Sequence, residues 1–424
     1  MIKILFMLIF FSITVVIAHF WHTTHLYLKE VLKESMMKVV IFIIMSLMVM
    51  VGCSSESSIE SKLSQTNGIQ NSKADKPLSE MIVPVKNIDI TQSHISIEKN
   101  NNSTSFLFSN PNDTTTHRVP FVYEALNNGE VIVLYSPDQT DLDIQQQSID
   151  KNGIATGVIV LDSSSETLFI EAFEKLLNSK GILYAEPNYQ VKQEHALVVE
   201  RKNLTTQWAL EQIEAQKAWQ ISQGAGVVVA IIDTGVSSQH EDLRTQLWQN
   251  EGEQPNGIDD DNNGLLDAIN GYDFVQMNSI SDDENGHGTH CAGIVAANEE
   301  NGVGIIGIAP QSSVMAIKVL DKNGDGDTLS IYQGVMYALE NGADILSISL
   351  GGEGFSYLEY LAFHAANRAD VAVIVAAGNE GVNIDGVGNK SYPASFAFEN
   401  IISVGASDPE SRLVSWSNYG TQSV

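Results

Sequence analysis

Three polar motifs, each at the edge of an apolar run, carry residue types that general acid–base chemistry draws on. Asp233-Thr234-Gly235 follows the run Val227 to Ile232. His287-Gly288-Thr289-His290-Cys291-Ala292-Gly293 opens a segment of helical spacing, and Ala376-Ala377-Gly378-Asn379 closes a late apolar run. Singly each has a plainer use, since Asp after a buried strand often caps a helix and His at a helix start can bond locally. A fourth motif is acidic. Asp259, Asp261, Asn263 and Asp267 occupy positions 1, 3, 5 and 9 of a loop with Gly264 at position 6. Alternate side chains around a glycine turn converge on Ca²⁺ at this spacing. Position 12 is Asn270, so the loop is no EF-hand, and a solvated acidic loop is its plainer reading.

Positioning these motifs requires a regular scaffold. From Gly226 onward, buried-strand runs (Val227–Ile232, Ser313–Leu320, Ala343–Leu350, Val371–Ala376) alternate with helical stretches at 288–297, 330–340 and 357–367. That alternation predicts an α/β parallel sheet flanked by helices on both faces. Ligands of such sheets bind beyond the carboxyl ends of the strands, where Asp233 and Asn379 fall. Upstream, Glu130–Tyr135, Gly157–Leu161 and Ile182–Tyr184 read as strands around a helical pattern from Ser163 to Asn178. Ser163 with Glu166 makes a capping box there. These elements form a small α+β module.

Together and in this order the motifs resemble the subtilisin-like serine proteases, over most of residues 204–424. Gln207-Trp208-Ala209-Leu210, Ala218-Trp219, His240-Glu241-Asp242-Leu243, Ser349-Leu350-Gly351-Gly352 and Ser417-Asn418-Tyr419-Gly420 extend the match. The resemblance implies a serine endopeptidase acting on polypeptide substrates. His287 is then the general base, Asp233 its orienting acid and Asn379 a donor to the oxyanion. Gly324-Asp325-Gly326 and Ser349-Leu350-Gly351 become edges that pair with an extended substrate. The module at 118–197 resembles the inhibitory propeptide, an intramolecular partner with Tyr184–Tyr189 in its exit strand and a cut site between Glu194 and Thr206. The family also implies Ca²⁺ in the 259–267 loop, and a further calcium site at Asp242 with the 298–304 loop. Asp321 to Asp327 repeats the ligand spacing but coincides with the substrate edge, so no metal is expected there. Cys291 reads as a packed thiol. The family's nucleophile lies in Gly-Thr-Ser-Met-Ala, which is absent here. Ser423 follows directly on the Ser-Asn-Tyr-Gly turn and is not its equivalent, so the catalytic domain is expected to be incomplete and cut off before its serine.

The front of the chain reads as an export signal. The apolar runs Ile4–Ala18 and Val39–Val51 are both shorter than the ~20 residues of a spanning helix. The second follows Lys38 and ends in Gly52-Cys53, which resembles a bacterial lipoprotein signal and implies acylation of Cys53. The expected organisation is an upstream extension at 1–35, a lipoprotein signal at 36–52 and a flexible Ser/Asn-rich tether at 53–117. An exported cell-envelope protein held to a membrane through its lipid follows. With 52 Asp and Glu against 23 Lys and Arg, a net charge of −29 excludes a nucleic-acid partner. Two cysteines exclude a disulfide framework. The competing reading is a non-catalytic surface lipoprotein derived from a decayed protease. Retention of Asp233, His287 and Asn379 together favours the enzyme.

Overall fold

The computed structural model describes residues 93–100, 103–110, 113–140, 142–149, 154–194, 207–386 and 388–424. The expected signal, Cys53 and the tether as far as residue 92 lie outside these residues, as does the segment 195–206. The tether does not extend to 117. Residues His94–Asn100 (β1), Ser103–Asn110 (β2) and Asp113–Pro120 (β3) form a three-stranded antiparallel sheet. Its Phe106 and Phe108 are fully buried. Phe106 lies 4.9 Å from the ring of Phe121, and Phe108 stacks on Tyr357 at 5.6 Å. The Ser, Thr and Asn content hid a period-two pattern in which Ile95, Ile97, Phe106 and Phe108 share faces with their cross-strand partners. Mean composition is blind to that alternation.

The predicted module follows as Leu126–Tyr135 (β4), Gln145–Ile149 (β5), Ala155–Val160 (β6), Glu166–Leu177 (α1) and Ile182–Gln193 (β7). The helix presents Phe169, Ile170, Phe173 and Leu176 to the core. Its N-cap is Ser165, whose hydroxyl accepts the Leu168 N–H at 3.3 Å, so the expected capping role of Ser163 is corrected by two residues. Strand β7 is much longer than the three residues Ile182–Tyr184 because it has pairing partners on both sides.

Two short helices, Trp208–Gln212 (α2) and Ala215–Trp219 (α3), lead into the larger sheet. Its strands are Val228–Asp233 (β8), Gly271–Asp273 (β9), Ser313–Lys318 (β10), Ile345–Ile348 (β12), Ala372–Ala376 (β14) and Ile401–Val404 (β15). All pair in parallel, in the order β15-β14-β12-β8-β10-β9. The short strands β9 and β15 escaped the sequence pattern. His287–Ala296 (α4), Thr328–Glu340 (α5) and Tyr357–Arg368 (α6) cover the sheet. Alternate residues of β8 explain why both faces need helices. Val229 and Ile231 join a core with Ala292 and Val295 of α4, whereas Ala230 and Ile232 join one with residues of α5 and α6. The expected α/β architecture is therefore present.

The module and the larger sheet meet at β7. Asp325–Asp327 (β11) and Leu350–Gly351 (β13) both pair with it antiparallel, while β4 holds its other reach. Gly354 is required below it, since a Cβ there would strike the ring of Tyr189. The 94–120 sheet adds an aromatic contact: His117 sits 4.4 Å from Tyr360 of α6. Truncating a fully buried aromatic ring leaves a cavity and costs about 3–5 kcal/mol. Phe108→Ala is expected to lose that much in urea denaturation, an effect that a substitution in a solvated tether would not produce.

Candidate active site

Asp233 ends β8 and is 1% exposed. Its carboxylate faces the ring of His287, with Nδ1 at 2.8 Å from Oδ1 and 3.0 Å from Oδ2. The helix that carries His287 comes this close because Gly288 abuts Asp233 and the Gly235 carbonyl, leaving no room for a Cβ. Asp283 fixes the start of α4 by accepting the Thr289 N–H at 2.9 Å and its hydroxyl at 2.6 Å. Behind Asp233, the buried Lys318 donates to the carbonyls of Thr234 and Leu320 at 2.7 and 3.1 Å. Burial works against a charged imidazole at 287, but the hydrogen bond it donates to Asp233 outweighs this, aided by Cys291 and by the charge of Asp233. His287 is raised far above the ordinary histidine value. Burial, then the Asp233 charge, push the Cys291 thiol up. A buried neutral thiol packs and does not attack.

The other edge of the site is built around β7. Gly326 pairs with Val191, Asp325 and Gly351 with Lys192, and Leu350 with Gln193. The Gln193 N–H donates to the Gly324 carbonyl at 3.0 Å and the Glu194 N–H to the Ser349 carbonyl at 2.8 Å. All six edge residues singled out from the sequence thus flank one extended segment of the same chain. At its end the carbonyl of Glu194 lies 3.2 Å from Nε2 of His287. Burial, then the charge of Glu380, push the Glu194 carboxyl up to about 7, against the pull of His287.

Asn379 lies three residues beyond β14, at the same sheet end as Asp233 and Ser349, because β8, β12 and β14 run parallel and in register. Its loop is held by Asn418, a residue whose role the sequence did not reveal. Asn418 receives the N–H groups of Glu380 and Val382 at 3.1 and 3.0 Å and donates to the Ala377 carbonyl at 3.0 Å. Ser423 is elsewhere, with its N–H on Asp385 at 3.0 Å.

Of the expected calcium ligands, Asp259 and Asp261 come together, and with them Glu253, which the loop spacing could not reveal. Glu253 is 2% exposed; one carboxyl oxygen accepts the Asp261 N–H at 3.0 Å and the other is buried without a hydrogen-bond partner. An orphaned carboxylate oxygen among two aspartates suits a hard cation. Asn263 and Asp267 shape the loop. Asn263 accepts the Leu265 N–H at 2.7 Å, and Asp267 accepts those of Asn256 and Gly257 at 2.9 Å. Asp267 is outside the cluster of three. Asp242 stands apart, with both oxygens taken by Asn301 and Ile305 at 2.7 and 3.3 Å.

Residues 224–423 match the subtilase family. The chain is 38% identical over 216 residues to thermitase of Thermoactinomyces vulgaris, covering 51% of this chain and 67% of that one. It is 36% identical over 220 residues to subtilisin DY of Bacillus licheniformis, covering 51% and 70%. With a thermophilic serine proteinase of Bacillus sp. strain AK1 it shares 36% over 259 residues, covering 59% and 56%. The chain thus spans 56–70% of the length of these relatives.

The charge partner of His287 makes its own prediction. A raised histidine midpoint stabilises the folded chain fully below the unfolded value of ~6.5, and the benefit is lost as pH rises through the folded midpoint. Asp233→Asn removes the charge, so the His287 midpoint followed by NMR should fall by roughly 1–3 pH units. An unchanged midpoint would assign the perturbation to another neighbour.

Proposed function

Because the chain belongs to the subtilase family, we propose that it is a serine endopeptidase made as a self-inhibited precursor. The observation that carries this reading is the seating of β7 between the Gly324–Gly326 and Ser349–Gly351 edges, with the Glu194 carbonyl against His287. An extended polypeptide held by backbone bonds on two edges is how a protease binds substrate, and here the chain's own segment takes that place.

In the proposed chemistry His287 takes the serine proton on Nε2 and returns it to the leaving amine. Asp233 receives the Nδ1–H, fixes the tautomer and stabilises the imidazolium. The Asn379 carboxamide donates to the oxyanion. Removing one such donor costs about 10²–10³-fold in rate, a figure taken from a subtilisin and not from this chain. The attacking hydroxyl is proposed to belong to sequence beyond Val424, in a Gly-Thr-Ser-Met-Ala motif. Residues ~94–194 are the proposed inhibitory unit, and Glu194–His195 the bond it first presents. Export as a lipoprotein, acylated at Cys53 behind the 36–52 signal, completes the proposal; its support is the Gly52-Cys53 sequence alone.

Expression of a version extended past Val424 tests the reading. The expected product has an amino terminus at His195 and hydrolyses casein, and both outcomes disappear in His287→Ala. A well-folded extended protein without activity would instead favour the decayed-protease alternative.

Calcium is proposed at Glu253, Asp259 and Asp261, where it would screen three carboxylates and hold the 253–267 loop. A ligand that binds only the folded state adds on the order of 2.7 kcal/mol at a hundred-fold excess over Kd. Melting should therefore move upward with Ca²⁺ in the 424-residue chain, and Glu253→Gln should shrink that rise. An equal rise in the variant would place the cation elsewhere.

A further inference from the structure

The N-terminus of α6 has two acids within reach and a place for one. Ser356 is its N-cap; the hydroxyl accepts the Glu359 N–H at 3.1 Å and donates to Glu186 at 2.6 Å. Glu186, on β7, also accepts the N–H groups of Tyr357 and Leu358 at 3.0 and 3.3 Å. The anion at the positive end of this helix therefore comes from the module. Yet Ser356-Tyr357-Leu358-Glu359 is itself a capping-box sequence, in which Glu at the third helical position ordinarily bonds back to the cap. Here Glu359 is 1% exposed and neither of its carboxyl oxygens has a hydrogen-bond partner.

Among the described residues no cation is one of the groups that act on either carboxyl, and His117 of β3 packs against the rings of Tyr357 and Tyr360 beside the turn. Glu186 meets Tyr184 of its own strand at 2.5 Å and the Ser356–Leu358 turn of α6. The charge of Glu186 acts on Glu359, and that of Glu359 acts on Tyr392. Burial raises both acids, but four donors pull Glu186 back down and none does so for Glu359, so the negative charge belongs on Glu186 and the proton on Glu359.

We infer that Glu186 of the module and Glu359 of α6 compete for one helix N-terminus, so that the module is seated while Glu359 is protonated and is released as pH rises. This regulation rests on the reading of the module as the inhibitory unit. With the module seated, burial and then the charge of Glu186 push Glu359 well above its ordinary value. Once the module lifts, Glu359 can ionise and take up its own capping role, near the usual ~4.3. The seated state then holds the extra proton. Seating is strongest below the ordinary carboxylate value and weakens as pH climbs, about ten-fold per pH unit for each proton released. Glu194 adds in the same direction, because burial and then Glu380 raise it to about 7 at the end of the same strand, outweighing the opposing pull of His287.

Hydrogen exchange of the Gln193 and Glu194 amides tests this in the 424-residue chain. The opening constant, corrected for intrinsic exchange, should rise with pH between 5 and 7, approaching ten-fold per unit for each proton released. Glu359→Gln and Glu359→Leu should each lower that slope by one proton, while amides of β8 keep their protection. A pH-independent opening constant overturns the inference, as does an unchanged slope in both variants. No turnover is read, so an inactive extended enzyme would sink the proposed activity without touching this result.

Discussion

Strand β7 is the constraint on which the rest of the arrangement depends. It is paired with β4 over one reach and with β11 and β13 over the next, so a single extended segment ties the module to the segments that follow β10 and β12. Backbone pairing sets its register against Gly324–Gly326 and Ser349–Gly351 without reference to its side chains. That register delivers the Glu194 carbonyl to His287. Side chains contribute at the flanks, where Glu186 and Asn188 of β7 reach the starts of α6 and α5; Asn188 accepts the Leu329 N–H at 3.3 Å. Two helix N-termini that would otherwise leave donors unsatisfied are thus capped from outside.

The second organising fact is the parallel sheet. Parallel strands in register place their carboxyl ends at one level, so Asp233, Ser349 and the Asn379 loop meet although 146 positions separate the first from the last. Local devices then set the final geometry. Gly288 permits the approach of α4, Lys318 holds the turn after Asp233, and Asn418 clamps the loop after β14.

The sheet, its helices and the Asp233–His287 pair were legible in the sequence because buried parallel strands are continuous apolar runs and the polar residues that interrupt them stand out. What the sequence concealed was of three kinds. The 94–120 sheet was hidden by its polar partner residues, since only one face of each strand is apolar. Glu253 was hidden by distance, because it reaches the acidic loop from six residues upstream of Asp259 and no ligand spacing includes it. Asn418 and Glu186 were hidden by function, as each acts on a backbone that another part of the chain supplies. The N-terminal bound of α1 shows a smaller failure: two serines, Ser163 and Ser165, both precede the helix, and only the fold decides which one caps it.

The proposed precursor has to reconcile a tight self-contact with eventual release. Tightening through more apolar area would oppose release under every condition, because burial of that kind responds little to pH. Backbone pairing has the same limitation, since peptide groups do not titrate. Carboxyl groups do, and this chain puts Glu186 opposite Glu359 and Glu194 near Glu380 along the single strand that closes the site. Hydrogen-bonded capping by Glu186 stabilises the seated state as long as its rival carries a proton. Once Glu359 ionises, the same helix terminus favours the acid already on the helix, which needs no second unit held in place. Register and affinity then come from groups that do not titrate, and the capacity to let go comes from groups that do.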